Sequence, residues 1–162
     1  PMGIGWHPWF RIPSGRREQV RLRLPADGRA PANNYDEVLP TGAVEPVEGT
    51  AFDFRAPRAL GDLYLDDCFT RLVRNADGQL ACEFRDPASA YGLSIVSDSP
   101  GVKAIQVYAP PDRPVVVLEP QFNLADPYSA AWDPSVDTGM QRLPPGAEIR
   151  YEVRLSLLPA NI

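Results

Sequence analysis

The sequence predicts an all-β protein built as an antiparallel β-sandwich, and three observations carry that prediction. First, 19 prolines and 12 glycines are spread along 162 residues, and both residue types disfavour long helices. Second, apolar and polar residues alternate with period two in several segments, as they do in half-buried strands. Third, these segments are short and separated by loops rich in Pro, Gly and Asp, which is typical of antiparallel sandwiches and barrels. The length fits about one domain, so we assign residues 1–162 to a single one.

The predicted strands, in chain order, are residues 3–10, 20–24, 68–73, 80–84, 93–96, 103–108, 115–119 and 149–157. The strands that end at Val73 and begin at Leu80 flank the turn signal Asn-Ala-Asp-Gly, and we predict that they form a hairpin. The last strand shows the clearest alternation, since its apolar residues share one face: Ile149, Tyr151, Val153, Leu155 and Leu157.

Three segments are predicted to be loops, namely residues 26–32, 41–56 and 123–145. The last is long for a connection inside one domain, and such loops are usually functional or disordered. Because it follows Glu119 closely, we expect it to form the wall of a site. The alternative is an exposed connection without a further role.

Charge and composition exclude several classes of function. The net charge is −5, the sequence pI is about 4.9, and the arginines are scattered, so we expect no nucleic-acid partner. No segment approaches the roughly 20 apolar residues of a membrane helix, and no signal peptide opens the chain, which favours a cytoplasmic protein without a membrane partner. Cys68 and Cys82 are expected to be packed thiols instead of a disulfide. One histidine and two separated cysteines also argue against a metal site.

Two residues stand out as a candidate acid/base pair. The single histidine of the chain, His7, lies in the aromatic run Gly-Ile-Gly-Trp-His-Pro-Trp-Phe at residues 3–10. Glu119 ends an apolar strand, and a carboxylate there must be paired or have a shifted pKa, because an isolated buried charge is costly.

Structural explanations remain open for the same residues. His7 alone is compatible with an edge residue that makes one hydrogen bond. Glu119 is compatible with an ion pair to a strand-borne arginine such as Arg85 or Arg154. The acidic pair Asp66 and Asp67 is compatible with a turn or the start of a strand.

Three segments in order resemble the aldose 1-epimerase (galactose mutarotase-like) family. They are residues 3–10, the Leu-Asp-Asp-Cys-Phe-Thr segment at 65–70, and Leu-Glu-Pro-Gln at 118–121 followed by Asp126-Pro127. The resemblance implies a large β-sandwich with a carbohydrate site on one face. It also implies that Glu119 is the general base and His7 the general acid of a mutarotase. Asp66 then matches the sugar-binding aspartate, with Asp67 as the alternative one residue along.

The opening of a cyclic sugar requires these residue types, independently of the resemblance. Opening a cyclic sugar requires removal of one proton and delivery of another, which a Glu and a His can provide near neutral pH without metal or cofactor. A sugar also needs an apolar surface and several polar groups for its hydroxyls. Candidates for the apolar surface are Trp6, Trp9, Phe10, Tyr64 and Trp132, and candidates for the polar contacts are Asp66, Gln121 and Asn123.

The chain differs from the family in length. Members are longer, and the resemblance falls on their C-terminal part, so the N-terminal portion with further strands, an arginine and a second histidine has no counterpart. Three explanations are open for this difference. The chain is one piece of a longer protein, or the other part of the protein is disordered or made separately, or the chain is a half-length relative. We expect an N-terminal segment or a second copy to cover it.

Two other functions are compatible with the same residues. One is a carbohydrate-binding or regulatory relative without turnover, suggested by the missing N-terminal contacts. The other is a hexose-6-phosphate 1-epimerase, because Arg11, Arg16 and Arg17 follow the His7 motif and arginines bind phosphate well.

Overall fold

The computed structural model describes residues 1–159 and contains two antiparallel sheets that face each other, so the all-β sandwich prediction is confirmed. The strands are β1 Trp9–Arg11, β2 Arg21–Arg23, β3 Ala26–Ala30, β4 Glu45–Pro46, β5 Arg58–Ala59, β6 Leu65–Leu72, β7 Leu80–Asp86, β8 Tyr91–Ser97, β9 Ala104–Ala109, β10 Val115–Gln121 and β11 Arg154–Leu157. Two single 3₁₀ turns lie at Arg17–Gln19 and Pro87–Ser89. Among these described residues, no helix has the length and apolar character needed to cross a membrane.

The first sheet has the order β1-β10-β9-β6-β3-β4 and the second has the order β11-β8-β7-β2-β5. Their inner faces meet in one apolar core, to which the first sheet contributes Phe69, Ile105 and Leu118 and the second contributes Phe84 and Ile95. All five side chains are fully or almost fully buried. Each such side chain stabilises the fold by roughly 1.5–3 kcal/mol. The outer face of the first sheet is therefore left for other contacts.

The predicted hairpin between residues 68–73 and 80–84 is wrong. A turn does form, since Gly78 N–H donates to Asn75 O at 2.9 Å, but β6 and β7 belong to different sheets. Arg71, next to the last residue of β6, has φ +52, a left-handed conformation that kinks this strand shortly before the turn. β7 pairs with β8 instead.

Residues 26–30 form a strand and not part of a loop. β3 pairs with both β6 and β4. Asp27 and Gly28 have low strand propensity, which made the segment read as a loop, but pairing on both sides overrides propensity. The two cysteines are buried free thiols as predicted, and burial raises the pKa of each to about 12.

The end of the chain departs most from its prediction. Only Arg154–Leu157 is a strand, at the edge of the second sheet, and the side chains of Leu155 and Leu157 are 47% and 74% exposed. They oppose Ile95 and Leu93 in register, so they lie on the inner face of the second sheet. The first sheet does not extend over them. Alternation indicates the face of a strand but not whether anything covers that face.

Candidate active site

The centre of the site is Glu119, in the middle of β10. This strand lies between β1 and β9, and five of its seven residues are buried. Glu119 pairs with Gln106 of β9, and Gln106 pairs with Cys68 of β6. Because directly opposed residues of antiparallel strands share a face, these three side chains form one row on the outer face of the first sheet.

His7 completes this row from the other side. Trp9 opposes Val117 in the β1 and β10 pair, and continuing that register by two residues places His7 opposite Glu119. The His7 Nε2 and Glu119 Oε1 atoms are 3.3 Å apart, and the two side chains are 58% and 11% exposed. The imidazole is also stacked on Trp9, with a ring centroid distance of 5.7 Å and an interplanar angle of 19°.

The glycines of the His7 segment allow this close approach. The Ile4 carbonyl accepts a hydrogen bond from Phe122 N–H at 2.8 Å, so the segment runs beside the end of β10. A Cβ atom on Gly5 would lie 2.9 Å from the Gln121 Cβ, and one on Gly3 would lie 2.1 Å from the Asn123 Oδ1. Only glycine fits there without displacing a neighbour.

The electrostatics of Glu119 follow from its burial. Loss of water around the carboxyl raises its pKa to about 7, while the nearby His7 opposes this rise and the charge of Asp66 adds to it. A carboxyl with that pKa exchanges protons readily near neutral pH, as a general base requires. The alternative ion pairs to Glu119 do not form, because Arg85 contacts Glu83 and Arg154 contacts Asp98 and Glu152.

Asp66 lies next to this row on the same face. It opposes Tyr108 in register, and its Oδ1 accepts a hydrogen bond from Gln106 Nε2 at 2.9 Å. Burial raises the pKa of Asp66, and the Gln106 hydrogen bond opposes that rise. The sequence reasoning missed Gln106, because a polar residue within an alternating strand normally indicates no more than a solvent-facing side.

Asp67 lies on the other face of β6. Its Oδ1 accepts a hydrogen bond from Arg29 Nη1 at 2.8 Å, and its Oδ2 accepts one from the Tyr35 hydroxyl at 2.8 Å. The side chain is buried and its oxygens are engaged, so of the two aspartates Asp66 is the one that lies on the face of Glu119. Arg29 comes from the 26–32 segment that was predicted to be a loop, and Tyr35 comes from a segment for which no element was predicted.

A cleft of about 420 Å³ opens beside the pair. Its lining comes from the His7 segment, from Glu119 and from the connection after β10, namely Gly3, Ile4, Gly5, Trp6, His7, Glu119, Asn123, Pro127 and Met140. The long connection therefore forms one wall, as expected. Gln121 lies two residues after Glu119 on the same face, against Gly5, and Trp9 lies beside His7 with half of its surface exposed.

Two of the proposed apolar contacts are placed elsewhere. Trp132 is buried against Ala30, Cys68 and Ala104, where it covers part of the outer face and does not line the cleft. Phe10 packs against the core between the sheets.

Two of the three arginines suggested for a phosphate are poorly placed. Arg17 is buried and donates to the carbonyl oxygens of Gly61, Leu63 and Ala109. Arg11 opposes Val115, four residues from Glu119, which corresponds to about 13 Å along the strand.

Comparisons with known proteins agree with the fold. The galactose mutarotase of Mus musculus is 27% identical over 113 residues, which are 64% of this chain and 32% of the mouse protein. A galactose mutarotase-like protein from Clostridium acetobutylicum has a TM-score of 0.76 at 19% identity. The match covers 98% of this chain and 48% of the Clostridium chain. The GalM/aldose epimerase homologue from C. elegans has a TM-score of 0.63 at 23% identity. The match covers 78% of this chain and 43% of the C. elegans chain.

The chain thus spans about a third of the mouse protein and about half of each of the two solved structures. The structural similarities show the sandwich fold that these proteins share with it. The family model of aldose 1-epimerase matches residues 1–156, almost the whole chain, and the protein therefore belongs to the aldose 1-epimerase family.

Proposed function

We propose that the protein is a mutarotase that interconverts the α and β anomers of a reducing sugar. The observation that carries this proposal is the 3.3 Å approach of His7 Nε2 to Glu119 Oε1 at an open cleft. An imidazole and a carboxyl group at the same cleft can between them remove one proton from a substrate and deliver another.

The proposed reaction balances without any other reagent. Glu119 takes the proton of the anomeric hydroxyl while protonated His7 gives one to the ring oxygen. The bond between C1 and the ring oxygen breaks, and the hydroxyl oxygen at C1 becomes the aldehyde oxygen. The aldehyde turns about the C1–C2 bond, and the ring hydroxyl attacks its other face. His7 takes back its proton and Glu119 returns its own to the oxygen on C1.

The remaining residues of the face would hold the sugar. Asp66 accepts hydroxyl hydrogen bonds, and Gln106 fixes the Asp66 carboxyl by its own hydrogen bond. Gln121 lies at the Gly5 end of the cleft and supplies an amide to another hydroxyl. Trp9 offers apolar surface next to His7, which suits the C–H face of a pyranose.

The test is the rate of anomer exchange, measured by magnetisation-transfer NMR on glucose, galactose and a hexose 6-phosphate at neutral pH. We expect acceleration of at least one sugar and a loss of about 10²–10⁴-fold in that acceleration for Glu119→Gln, the usual contribution of a positioned acid or base. The matched control is Glu83→Gln, which removes a strand-borne glutamate of the other sheet. Equal rates for the Glu119→Gln variant and the wild type would exclude the proposal.

A carbohydrate-binding protein without turnover is the second candidate. Its support is the 58% exposure of the His7 side chain on one side of the cleft. Calorimetry distinguishes the two functions, because sugar binding by a folded sample that does not accelerate anomer exchange supports this candidate. The cytoplasm remains the compartment that we propose. The engaged Arg17 and the distant Arg11 disfavour the 6-phosphate substrate.

A further inference from the structure

We infer that the second sheet carries a binding site for a small oxyanion, a phosphate or a carboxylate group, between two opposed arginines on its outer face. The two residues are Arg21 of β2 and Arg85 of β7, and we call the cavity beside them the arginine pocket. The cleft beside Glu119 belongs to the outer face of the first sheet. The inference therefore concerns a separate site and does not depend on the proposed function.

The strand register places the two arginine side chains next to each other. Arg21 opposes Arg85 in the β2 and β7 pair, and directly opposed residues share a face with Cβ atoms about 5 Å apart. Leu22 and Phe84, the adjacent residues of the two strands, point into the core, so both arginines lie on the outer face. Like charges that oppose each other directly destabilise a sheet. An anion bound between the two side chains removes that repulsion.

The ion pairs near the two arginines leave positive charge in excess. Glu83 is divided between two partners, because its Oε1 lies 3.4 Å from Arg23 Nη1 and its Oε2 lies 3.3 Å from Arg85 Nη2. Arg21 is exposed, and within the described part of the chain no carboxylate pairs with it. The whole chain has a net charge of −5, so this excess is local. Local positive charge raises the concentration of anions at the surface.

A pocket of about 210 Å³ lies beside the pair and is large enough for a phosphate or carboxylate with a small carbon group. Its lining consists of Arg21, Arg85, Asp86, Pro87, Ala90, Tyr91 and Pro159. The Asp86 carboxylate is fully buried, and its oxygens accept hydrogen bonds from Ser14 N–H and from the Ser14 and Ser89 hydroxyls. The exposed polar groups that the arginines offer are therefore donors, in the planar fork that matches two oxygens of an oxyanion.

Gly92 lets the Arg85 side chain lie close to the sheet. It follows the arginine pair in the same row, opposite Arg85 on β8, and a Cβ atom there would lie 3.4 Å from Arg85 Cγ and 3.2 Å from Leu158 Cβ. Glycine inside a strand costs stability and marks places where another group approaches the backbone closely. The Arg85 side chain is only 17% exposed. A side chain that is held before binding loses less entropy when a ligand docks.

The test is a titration of the folded protein with inorganic phosphate and, separately, with acetate, at constant ionic strength and followed by NMR of the backbone amides. We expect saturable shifts in β2 and β7 for at least one anion. Arg21→Gln and Arg85→Gln should each raise the Kd about tenfold, because each removes a charge-assisted pair. Arg154→Gln is the matched control. It removes the same charge from the same face, but Arg154 is paired with Asp98 and Glu152, so the Kd should not change.

Stability supplies a second readout for the same variants. Without an anion, Arg21→Gln should unfold at a higher urea concentration than the wild type, because the opposed like charges are gone. The anion that binds should raise the urea midpoint of the wild type by mass action. It should leave the midpoint of Arg21→Gln unchanged.

The outcomes decide both the existence of the site and its anion. Saturation by phosphate, by acetate or by both supports the inference and identifies the group that is bound. The absence of saturable shifts with both anions overturns it, and so does a loss of affinity in Arg154→Gln that equals the loss in Arg21→Gln. Glu119→Gln should bind the anion as the wild type does. Weaker binding by Glu119→Gln would contradict a site separate from the cleft.

Discussion

At the residue scale, Glu119 links burial to chemistry. Its pKa is raised from the ordinary 4.5 to about 7, chiefly by burial. Between pH 4.5 and about pH 7, the Glu119 carboxyl is protonated in the folded protein and ionised in the unfolded chain. The free energy of unfolding therefore decreases as the pH rises through this window, by at most about 3 kcal/mol. The property that makes Glu119 a suitable base thus costs stability at neutral pH.

Replacing this carboxyl should recover that stability. We expect Glu119→Gln to have a higher free energy of unfolding than the wild type above pH 7, with the difference shrinking to near zero at pH 4.5. Urea unfolding at pH 4.5, 6 and 8 measures it. Glu83→Gln is the control, because Glu83 is partly exposed and pairs with Arg85 and Arg23. A difference that stays constant over the three pH values would show that the burial of Glu119 is not its source.

At the scale of elements, the connection after β10 is fixed beside the site by one glycine. Gly139 has φ +81, and a Cβ atom there would lie 1.9 Å from the Phe122 carbonyl oxygen. Leu124 N–H donates to Thr138 O at 2.9 Å next to it. This close contact positions Met140, which lines the cleft.

Two glycine variants distinguish the stability lost through the close contact from the stability lost through a positive φ alone. Gly146 has φ +82, with no atom within 4 Å of a Cβ built there, so Gly146→Ala should cost only about 1 kcal/mol. Gly139→Ala should cost about 2 kcal/mol more because its Cβ overlaps backbone, and it should slow anomer exchange. Urea unfolding and magnetisation transfer measure the two effects. Equal losses of stability in the two variants would contradict the close contact.

The strands were predictable to different degrees. The central strands β7 to β10 follow from alternation or apolar runs, because both of their sides are constrained by neighbours. β3 was missed because its small and polar residues show no strand propensity. The sequence motifs pointed to His7 and Glu119, which the register brings together. Gln106 could not be identified, since its role depends on which residue lies across from it.

At the scale of the whole molecule, the two sheets share a core that ends before the edge of the second sheet. The inner side of β11 carries Leu155 and Leu157, and both are exposed. An exposed edge strand with apolar residues tends to pair with another strand. An antiparallel pair of β11 strands centred on Ser156 would set Leu155 opposite the partner's Leu157, with all four leucines on one face.

We therefore expect the purified protein to associate through β11, because in such a sample only a second copy can cover this edge. Sedimentation velocity at micromolar concentration should show dimers, and the double variant Leu155→Asp, Leu157→Asp should sediment as a monomer. Val73→Asp is the control, since Val73 is exposed outside β11. A wild type that stays monomeric and melts cooperatively would contradict the expectation that a segment or second copy covers the chain.

Which of the two adjacent aspartates of β6 lies on the outer face depends on the packing of the core. Asp66 reaches the outer face because Leu65 and Phe69, both buried, hold the strand in its register. A slip of one residue would turn every side chain to the other face, placing Asp67 on the face of Glu119 and Asp66 on the face of Arg29. Substitutions of Leu65 or Phe69 are therefore expected to change which aspartate faces Glu119 as well as the stability of the fold, although neither side chain lies on the Glu119 side of the sheet.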